Sequence, residues 1–238
     1  MGILALLLAA GTAMFQARPQ PPLPRYEVKR ATSPIIIDGK PDEAAWAAAG
    51  KIYLIFPWGS PSGLKQATVG RLLWDDNYLY VSFECEDVDI TARFTQRDDP
   101  VDQDDSIQIL INPQPSQTHA YIGLDINVRA AYHDYLSVDG KYFYGQFNMR
   151  GIRLATYIDG TLNQRSDKDR GWSVEVAIPW SNFEDLSRQH GEGAVWTGNF
   201  SRWDGDAPNR TFSIWSDSLL AQPSPHALDR FGELDFVK

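Results

Sequence analysis

The chain of 238 residues contains one cysteine, Cys85, and four histidines, at positions 119, 133, 190 and 226. One cysteine excludes an internal disulfide, and the histidines are not paired at the spacing of a metal-binding motif. Basic residues are also few, since 22 Lys and Arg stand against 31 Asp and Glu for a net charge of −9. Nucleic acids and anionic lipid surfaces are recognised by basic patches, so we expect neither as a partner.

The sequence also lacks the motifs of common catalytic sites. It contains no Gly-x-Ser-x-Gly elbow, no His-Glu-x-x-His and no glycine-rich phosphate loop. Glycoside hydrolysis needs two carboxylates that face each other across a cleft, and the acidic residues here resemble turn residues instead. We therefore expect no catalytic residues and a protein that binds its ligand without transforming it.

The N-terminal apolar run, Ile3–Ala10, is too short to cross a bilayer. Small residues follow it, as they do at the cleavage sites of export signals. We therefore predict a signal peptide over residues 1–17 and a secreted or periplasmic protein, with a hydrophobic first strand or a disordered start as the alternative. The proline-rich stretch that follows predicts a linker over residues 18–30, which leaves residues 31–238 as one domain.

Apolar and polar residues alternate along much of the remaining chain, with the period of two that is typical of half-buried strands. Leu79–Cys85, Ile107–Ile111 and Ile122–Val128 show this alternation clearly. Helical patterns are limited to Pro41–Ala49 and Ser181–Leu186. We predict an all-β fold, an antiparallel, jelly-roll-like β-sandwich with one or two short helices.

Six motifs follow one another in a fixed order along the chain. The first, Ile37-Asp38-Gly39-Lys40 with Asp42-Glu43-Ala-Ala-Trp46, resembles the IDG-x-x-DE-x-x-W opening of the family 9 carbohydrate-binding modules. The other motifs that resemble this family are Leu73–Asp76 with Leu79–Val81, Asp105-Ser106 with Gln108, Gly171–Trp180, Asn199–Arg202 and Phe231–Leu234. The resemblance covers about residues 35–238. It implies a sandwich that holds a sugar against tryptophan on the polar face of one sheet.

Glu175 lies in the middle of one of these motifs, between two valines. Alternation directs its carboxylate to the face opposite Val174 and Val176, so it needs a partner there. We expect that partner to be Arg202 or Arg153.

A sugar site needs flat aromatic rings for the C–H faces of pyranoses, and planar amides or carboxylates for vicinal hydroxyls. Alternation places such side chains opposite the apolar positions of several predicted strands. The predicted carbohydrate-binding residues are Trp215, Trp203, Gln108, Asp125, Asn127, Asn199 and Ser201. We expect a mono-, oligo- or polysaccharide ligand and a role accessory to glycan breakdown, with an ordinary solvated sheet face as the alternative.

The sequence departs from the family pattern at one half of the sugar clamp. Members of the family hold the ligand between two tryptophans, and Trp215 resembles one of them. The other would lie just before Asp105, where this chain has Val, Asp, Gln and Asp at positions 101–104. The family's glutamate after this point is Gln108. Trp58, Trp203 and Phe94 are the candidates for a substitute ring.

Acidic residues cluster in one loop and suggest a metal site. The predicted ligands are Asp98, Asp99, Asp102 and Asp104, close to Asp105, while Glu86, Asp87 and Asp89 end a neighbouring strand. Calcium takes about six to eight oxygen ligands, which clustered carboxylates and loop carbonyls supply. The family resemblance also implies structural calcium, whereas the spacing matches no EF-hand and acidic loops are often only solvated. We expect no organic cofactor.

Two alternatives belong to other functional classes. Similar sandwiches of the DOMON type hold haem between their sheets, and Met149 and His133 are the available axial ligands. The other alternative is an envelope interaction module with no small ligand.

Overall fold

The computed structural model describes residues 20–59 and 63–238, and its regular structure is almost entirely β. The predicted signal peptide lies outside the described residues. The strands are β1 (Arg25–Arg30), β2 (Ile52–Tyr53), β3 (Thr68–Trp74), β4 (Tyr78–Glu86), β5 (Ser106–Asn112), β6 (Ala120–Asn127), β7 (Tyr132–Val138), β8 (Tyr142–Tyr144), β9 (Arg153–Asp159), β10 (Gly171–Pro179), β11 (Val195–Asp204), β12 (Thr211–Ile214) and β13 (Gly232–Val237).

The strands form one curled sheet in the order β8-β7-β6-β5-β11-β13-β1-β3-β4-β10-β9, with β12 added to β11 and β2 to β3. We call β8-β7-β6-β5-β11-β12 the first half and β3-β4-β10-β9 the second half. The apolar faces of the two halves meet in one core, where Phe83 of β4 lies 5.9 Å from Phe200 of β11 between ring centroids. Cys85 is buried in the same core. The predicted all-β fold is confirmed.

The strand pairs are antiparallel except those of β1, which runs parallel to both β13 and β3. Tyr26 and Val28 of β1 are buried, and the Tyr26 hydroxyl accepts a hydrogen bond from the Leu72 N–H at 3.0 Å. The predicted linker over residues 18–30 is therefore wrong in its second part. Its last six residues fill the gap between two strands of the sheet, so the folded domain begins near Arg25 and not at residue 31.

Short 3-10 helices replace the two predicted helices. Ala44–Ala48 lies within the first predicted range, and Trp180–Asn182 overlaps the start of the second. Two further 3-10 turns cover Val101–Gln103 and Leu228–Arg230. Among the described residues, no helix is long and apolar enough to cross a membrane.

The Glu175 carboxylate joins the first sequence motif to β10. It accepts hydrogen bonds from the Trp46 indole N–H at 2.9 Å, from the Gly39 N–H at 3.0 Å and from the Asp38 N–H at 3.2 Å. The expected partner, Arg202 or Arg153, is therefore wrong. Gly39 also packs closely against the backbone of Thr156. It can do so because it has no side chain: a Cβ there would lie 2.5 Å from the Thr156 carbonyl carbon. Glu175 thus fixes the segment that covers one end of the second half.

We expect Glu175→Gln to lower the free energy of unfolding by about 1–3 kcal/mol, because an amide turns one acceptor into a donor that faces buried N–H groups. Urea denaturation would measure the loss. Glu27→Gln, at an exposed position of β1, is the matched control and should change stability by less than about 0.5 kcal/mol. Equal denaturation midpoints for the two variants would contradict this role of Glu175.

Candidate functional site

A line of polar side chains crosses the outer face of the first half. The strand register places Ser201 of β11 opposite Gln108 of β5, Gln108 opposite Asp125 of β6, and Asp125 opposite His133 of β7. The Ser201 hydroxyl donates to Gln108 Oε1 at 2.9 Å, and Gln108 Nε2 donates to Asp125 Oδ2 at 3.2 Å. We call Ser201, Gln108, Asp125 and His133 the polar row.

Asp125 is the unusual member of the polar row. Its side chain is only 5% exposed, and Oδ1 has no hydrogen-bond partner among the described residues. Burial raises the pKa of Asp125 to about 8, and the carboxylate of Asp102 adds to the shift, while the hydrogen bond from Gln108 and the nearby Tyr135 hydroxyl oppose it. At pH 7 the carboxyl group is therefore mostly protonated, and Oδ1 is a polar atom without a partner.

Aromatic side chains lie on both sides of the polar row. Trp203, two residues beyond Ser201 on the same face, is half-buried and packs 4.4 Å from Phe212 between ring centroids. On the opposite side, Tyr135 lies two residues beyond His133 and packs 5.3 Å from its ring. A polar floor between aromatic groups is the composition that sugar recognition requires.

Arg210 lies between Trp203 and the segment over positions 101–104. Its guanidinium lies 4.4 Å above the Trp203 ring, and Nη2 donates to the main-chain oxygens of Asp102 and Asp104, the latter at 2.9 Å. These carbonyls belong to the segment over positions 101–104, where the resemblance described above would have placed a second tryptophan. Of the proposed substitutes, Trp58 packs on Phe212 at 5.4 Å and does not face Trp215.

The structure brings Gln108, Asp125, Ser201 and Trp203 together, but it removes Trp215 from this site. The main-chain N–H of Trp215 donates to the Phe200 carbonyl. Its ring centroid lies 5.4 Å from that of Phe200, and the side chain is buried in the core. The prediction was wrong because alternation within β12 does not say which face is polar. Ser213 pairs with Arg202, so the Ser213 side of β12 faces inward.

The two predicted asparagines lie on the outer face but are structural. Asn199 is completely buried and holds the chain after β12, since it donates to the Ser216 carbonyl and accepts from the Ser216 N–H, both at 3.0 Å. Asn127 is equally buried and donates to the Phe94 carbonyl and to Asp104 Oδ2. Neither amide is left free for a ligand.

The predicted calcium ligands do not converge on one point. Asp99 Oδ2 accepts the N–H groups of Thr95 and Gln96, and Asp104 Oδ2 accepts the Phe94 N–H. Among the described residues, the one group of acidic side chains within metal-binding distance of one another is different. It consists of the buried Asp87, Asp105 and Asp204, whose oxygens lie within 4.8 Å of one another. Asp105 and Asp87 belong to the two acidic stretches noted in the sequence, whereas Asp204 is distant from both, so the sequence does not show that the three residues meet.

The chemistry of this buried group fits a divalent cation that prefers oxygen ligands. Arg202 Nη2 lies 2.9 Å from Asp87 Oδ2 and 2.7 Å from Asp204 Oδ1. With all three carboxylates ionised, the single guanidinium would leave an excess of two negative charges at this buried place. Burial and the neighbouring carboxylates raise the pKa of both Asp105 and Asp87, so that without an ion part of this charge is removed by protonation. A calcium ion held by these three residues would balance the excess charge.

The residues proposed for haem lie on different sides of the sheet. His133 belongs to the polar row on the outer face, whereas Met149 is buried in the core between the two halves. Two axial ligands must approach one iron from opposite sides of the same porphyrin. These two side chains therefore cannot bind the same haem in this fold.

Several known proteins resemble this chain in sequence or in fold. An exoglucanase, XynX, of Acetivibrio thermocellus is 30% identical over 152 residues, which are 64% of this chain but only 12% of the enzyme. A crystal structure of a Bacteroides uniformis protein superposes with a TM-score of 0.76 at 16% identity, over 90% of this chain and all of that one. A family 9 carbohydrate-binding module of Caldicellulosiruptor kristjanssonii, solved with cellotriose, gives a TM-score of 0.62 at 18% identity over 90% and 93%.

At these identities the structural likeness establishes the fold alone. The match to the exoglucanase covers a small part of that enzyme, so the activity of the whole enzyme is not transferred to this chain. The family model is more specific, because it matches residues 37–220 and so includes the polar row, Trp203 and Glu175. The chain belongs to the carbohydrate family 9 binding domain-like family.

Proposed function

We propose that this protein is a non-catalytic carbohydrate-binding domain that holds a sugar on the polar row beside Trp203. The observation that carries the proposal is the unpartnered Oδ1 of Asp125 in a hydrogen-bonded row that lies between aromatic side chains. Family membership supports the same ligand class. A role accessory to polysaccharide breakdown is part of the proposal, since the matched region of XynX belongs to an exoglucanase.

The polar row supplies hydrogen bonds of defined direction. Oδ1 is buried, so a sugar reaches it only when the side chains over the polar row move aside. With Asp125 protonated, Oδ1 then offers an O–H to a sugar hydroxyl or ring oxygen, while Gln108 holds Oδ2. A buried group that gains its partner only on binding discriminates strongly against ligands that lack that partner. Trp203 and the guanidinium above it form the wall against which a sugar ring packs. The hydrogen bonds of the polar row set the specificity, and the Trp203 ring with the Arg210 guanidinium adds contact area.

We further propose that calcium stabilises the fold through Asp87, Asp105 and Asp204. These residues follow β4, precede β5 and end β11, so a bound ion would tie three strand ends together. The ion would not contact the polar row through these ligands, and its role in the proposal is structural. Export and a secreted or periplasmic location stay predictions.

Trp203→Ala should weaken binding to the best ligand of a glycan array at least about tenfold, because it removes the aromatic wall. Affinity gels and calorimetry on that ligand would measure the change. Tyr142→Ala, which removes a ring that is 62% exposed on β8, is the matched control and should bind like the unmodified protein. Absence of any glycan ligand would favour the interaction module, and unchanged binding by Trp203→Ala would exclude the polar row.

The raised pKa of Asp125 predicts a stability that falls as the pH rises. Between about pH 4 and pH 8 the folded protein keeps a proton that the unfolded chain has lost, so deprotonation favours unfolding. Asp125→Asn should reduce this fall, because the amide keeps the shape and does not titrate. Denaturant unfolding at pH 5 and pH 8.5 would compare the unmodified protein, this variant and the exposed control Asp185→Asn. An identical loss in all three would refute the burial of a protonated Asp125.

Millimolar calcium should raise the melting temperature of the protein by about 5 °C or more over a chelator-treated sample, as expected for a ligand in large excess over its Kd. Asp105→Asn should abolish most of this shift. Asp99→Asn, in the acidic loop, serves as the control and should keep the shift. A melting temperature that is the same with calcium and with chelator would remove the calcium proposal.

A further inference from the structure

A second groove lies on the outer face of the second half, on the opposite side of the sandwich from the polar row. Its volume is about 580 Å³. The strand register places Val69 of β3, Glu84 of β4, Ser173 of β10 and Tyr157 of β9 side by side across its floor. Val69 and Ser173 are short, whereas Glu84 and Tyr157 are long, so the face is indented between the longer side chains.

Ion pairs fix the charged groups around this groove. Arg71 pairs with Glu84 on one side, and Arg170 binds Asp159 through Nε at 2.7 Å and through a second contact from Nη2 on the other. Because each guanidinium already has a carboxylate partner, its charge is offset while its remaining donors and the remaining carboxylate acceptors stay available at the groove. They are suited to hydroxyl groups, which both donate and accept hydrogen bonds.

The charges that line the groove cancel. Four basic side chains, Lys40, Lys51, Arg71 and Arg170, stand against four acidic ones, Asp42, Glu84, Glu86 and Asp159. This neutral lining is found on a chain whose net charge is −9. A balanced set of paired charges gives no advantage to an anion or to a cation, so a neutral and polar ligand fits best.

The Tyr157 ring forms one wall of the groove and lies beneath Lys40. Tyr157 is 39% exposed, and Lys40 Nζ lies 4.3 Å from the centre of its ring. Lys40 follows Gly39, whose N–H is held by Glu175 and whose carbonyl accepts the Ser173 hydroxyl at 2.5 Å. Lys40 itself is exposed, so its flexible ammonium leaves the ring or shares it at little cost.

We infer that this groove is a second carbohydrate-binding site, which takes a neutral sugar ring on Tyr157 with its hydroxyls bonded to the Arg71–Glu84 and Arg170–Asp159 pairs. The two sites lie on opposite outer faces, so one molecule holds two segments of polysaccharide at once. None of the residues named here belongs to the polar row. The inference therefore stands or fails independently of the first site.

The test compares the full-length protein with Trp203→Ala, Tyr157→Ala and the double variant on a glycan array, with cellotriose titrations followed by amide chemical shifts. We expect Trp203→Ala to keep a set of glycan signals that Tyr157→Ala weakens about tenfold, and the double variant to lose both sets. Shifts caused by cellotriose should include residues 69, 84, 157 and 173. Tyr144→Ala, 55% exposed on β8, is the control for loss of a surface ring.

The outcomes separate the two proposals. A glycan profile of Tyr157→Ala equal to that of the unmodified protein, with no shifts in the groove, would overturn the second site and leave the polar row intact. Binding confined to the groove, and unaffected by Trp203→Ala, would support the second site and overturn the first. If Tyr157→Ala melts lower than the unmodified protein, Lys51→Glu provides the second test. It unbalances the lining and should weaken the same set of signals without touching the core.

Discussion

The buried carboxylate of Glu175 is the contact on which the second half depends. It holds the segment around Gly39 and Trp46 against β10 by three hydrogen bonds, two of them buried and the one from the Asp38 N–H partly buried. That segment covers Leu73, Tyr80 and Ala177 with the Trp46 ring and forms one wall of the second groove. A buried acceptor with three donors is favourable only while all of them remain in place. Two sequence motifs far apart in the chain therefore act as one structural unit.

Much of the fold follows from local sequence patterns. Alternation along Leu79–Cys85 and Ile107–Ile111 correctly predicts strands and the side chains that face the core, because the period of a strand is a local property. It does not predict that the polar side of β5 is buried as well. The exception is β1. Its sequence contains charged residues at positions 25, 27, 29 and 30 and follows a proline-rich stretch, so it resembles a linker. It becomes a strand because two neighbours supply its hydrogen bonds, and this information is not local.

The candidate site shows the same limit. Gln108, Asp125, Ser201 and Trp203 could be predicted because alternation on three strands agrees with the register that joins them. Trp215 could not, since its face depends on the pairing of Ser213 with Arg202. The acidic group of Asp87, Asp105 and Asp204 is formed by residues separated by up to 117 positions. Clustering along the sequence therefore pointed to loop carboxylates that serve the backbone of their own turns.

The hydrogen bonds of the polar row all point one way. Ser201 donates to Gln108, and Gln108 donates to Asp125, so polarisation accumulates toward the last member. A protonated Asp125 continues this direction outward to a ligand, whereas a deprotonated one ends it and presents only acceptors. Loss of one proton from Asp125 therefore turns the last member of the row from a hydrogen-bond donor into an acceptor. A ligand atom at Asp125 is consequently linked, through side chains alone, to a serine two strands away.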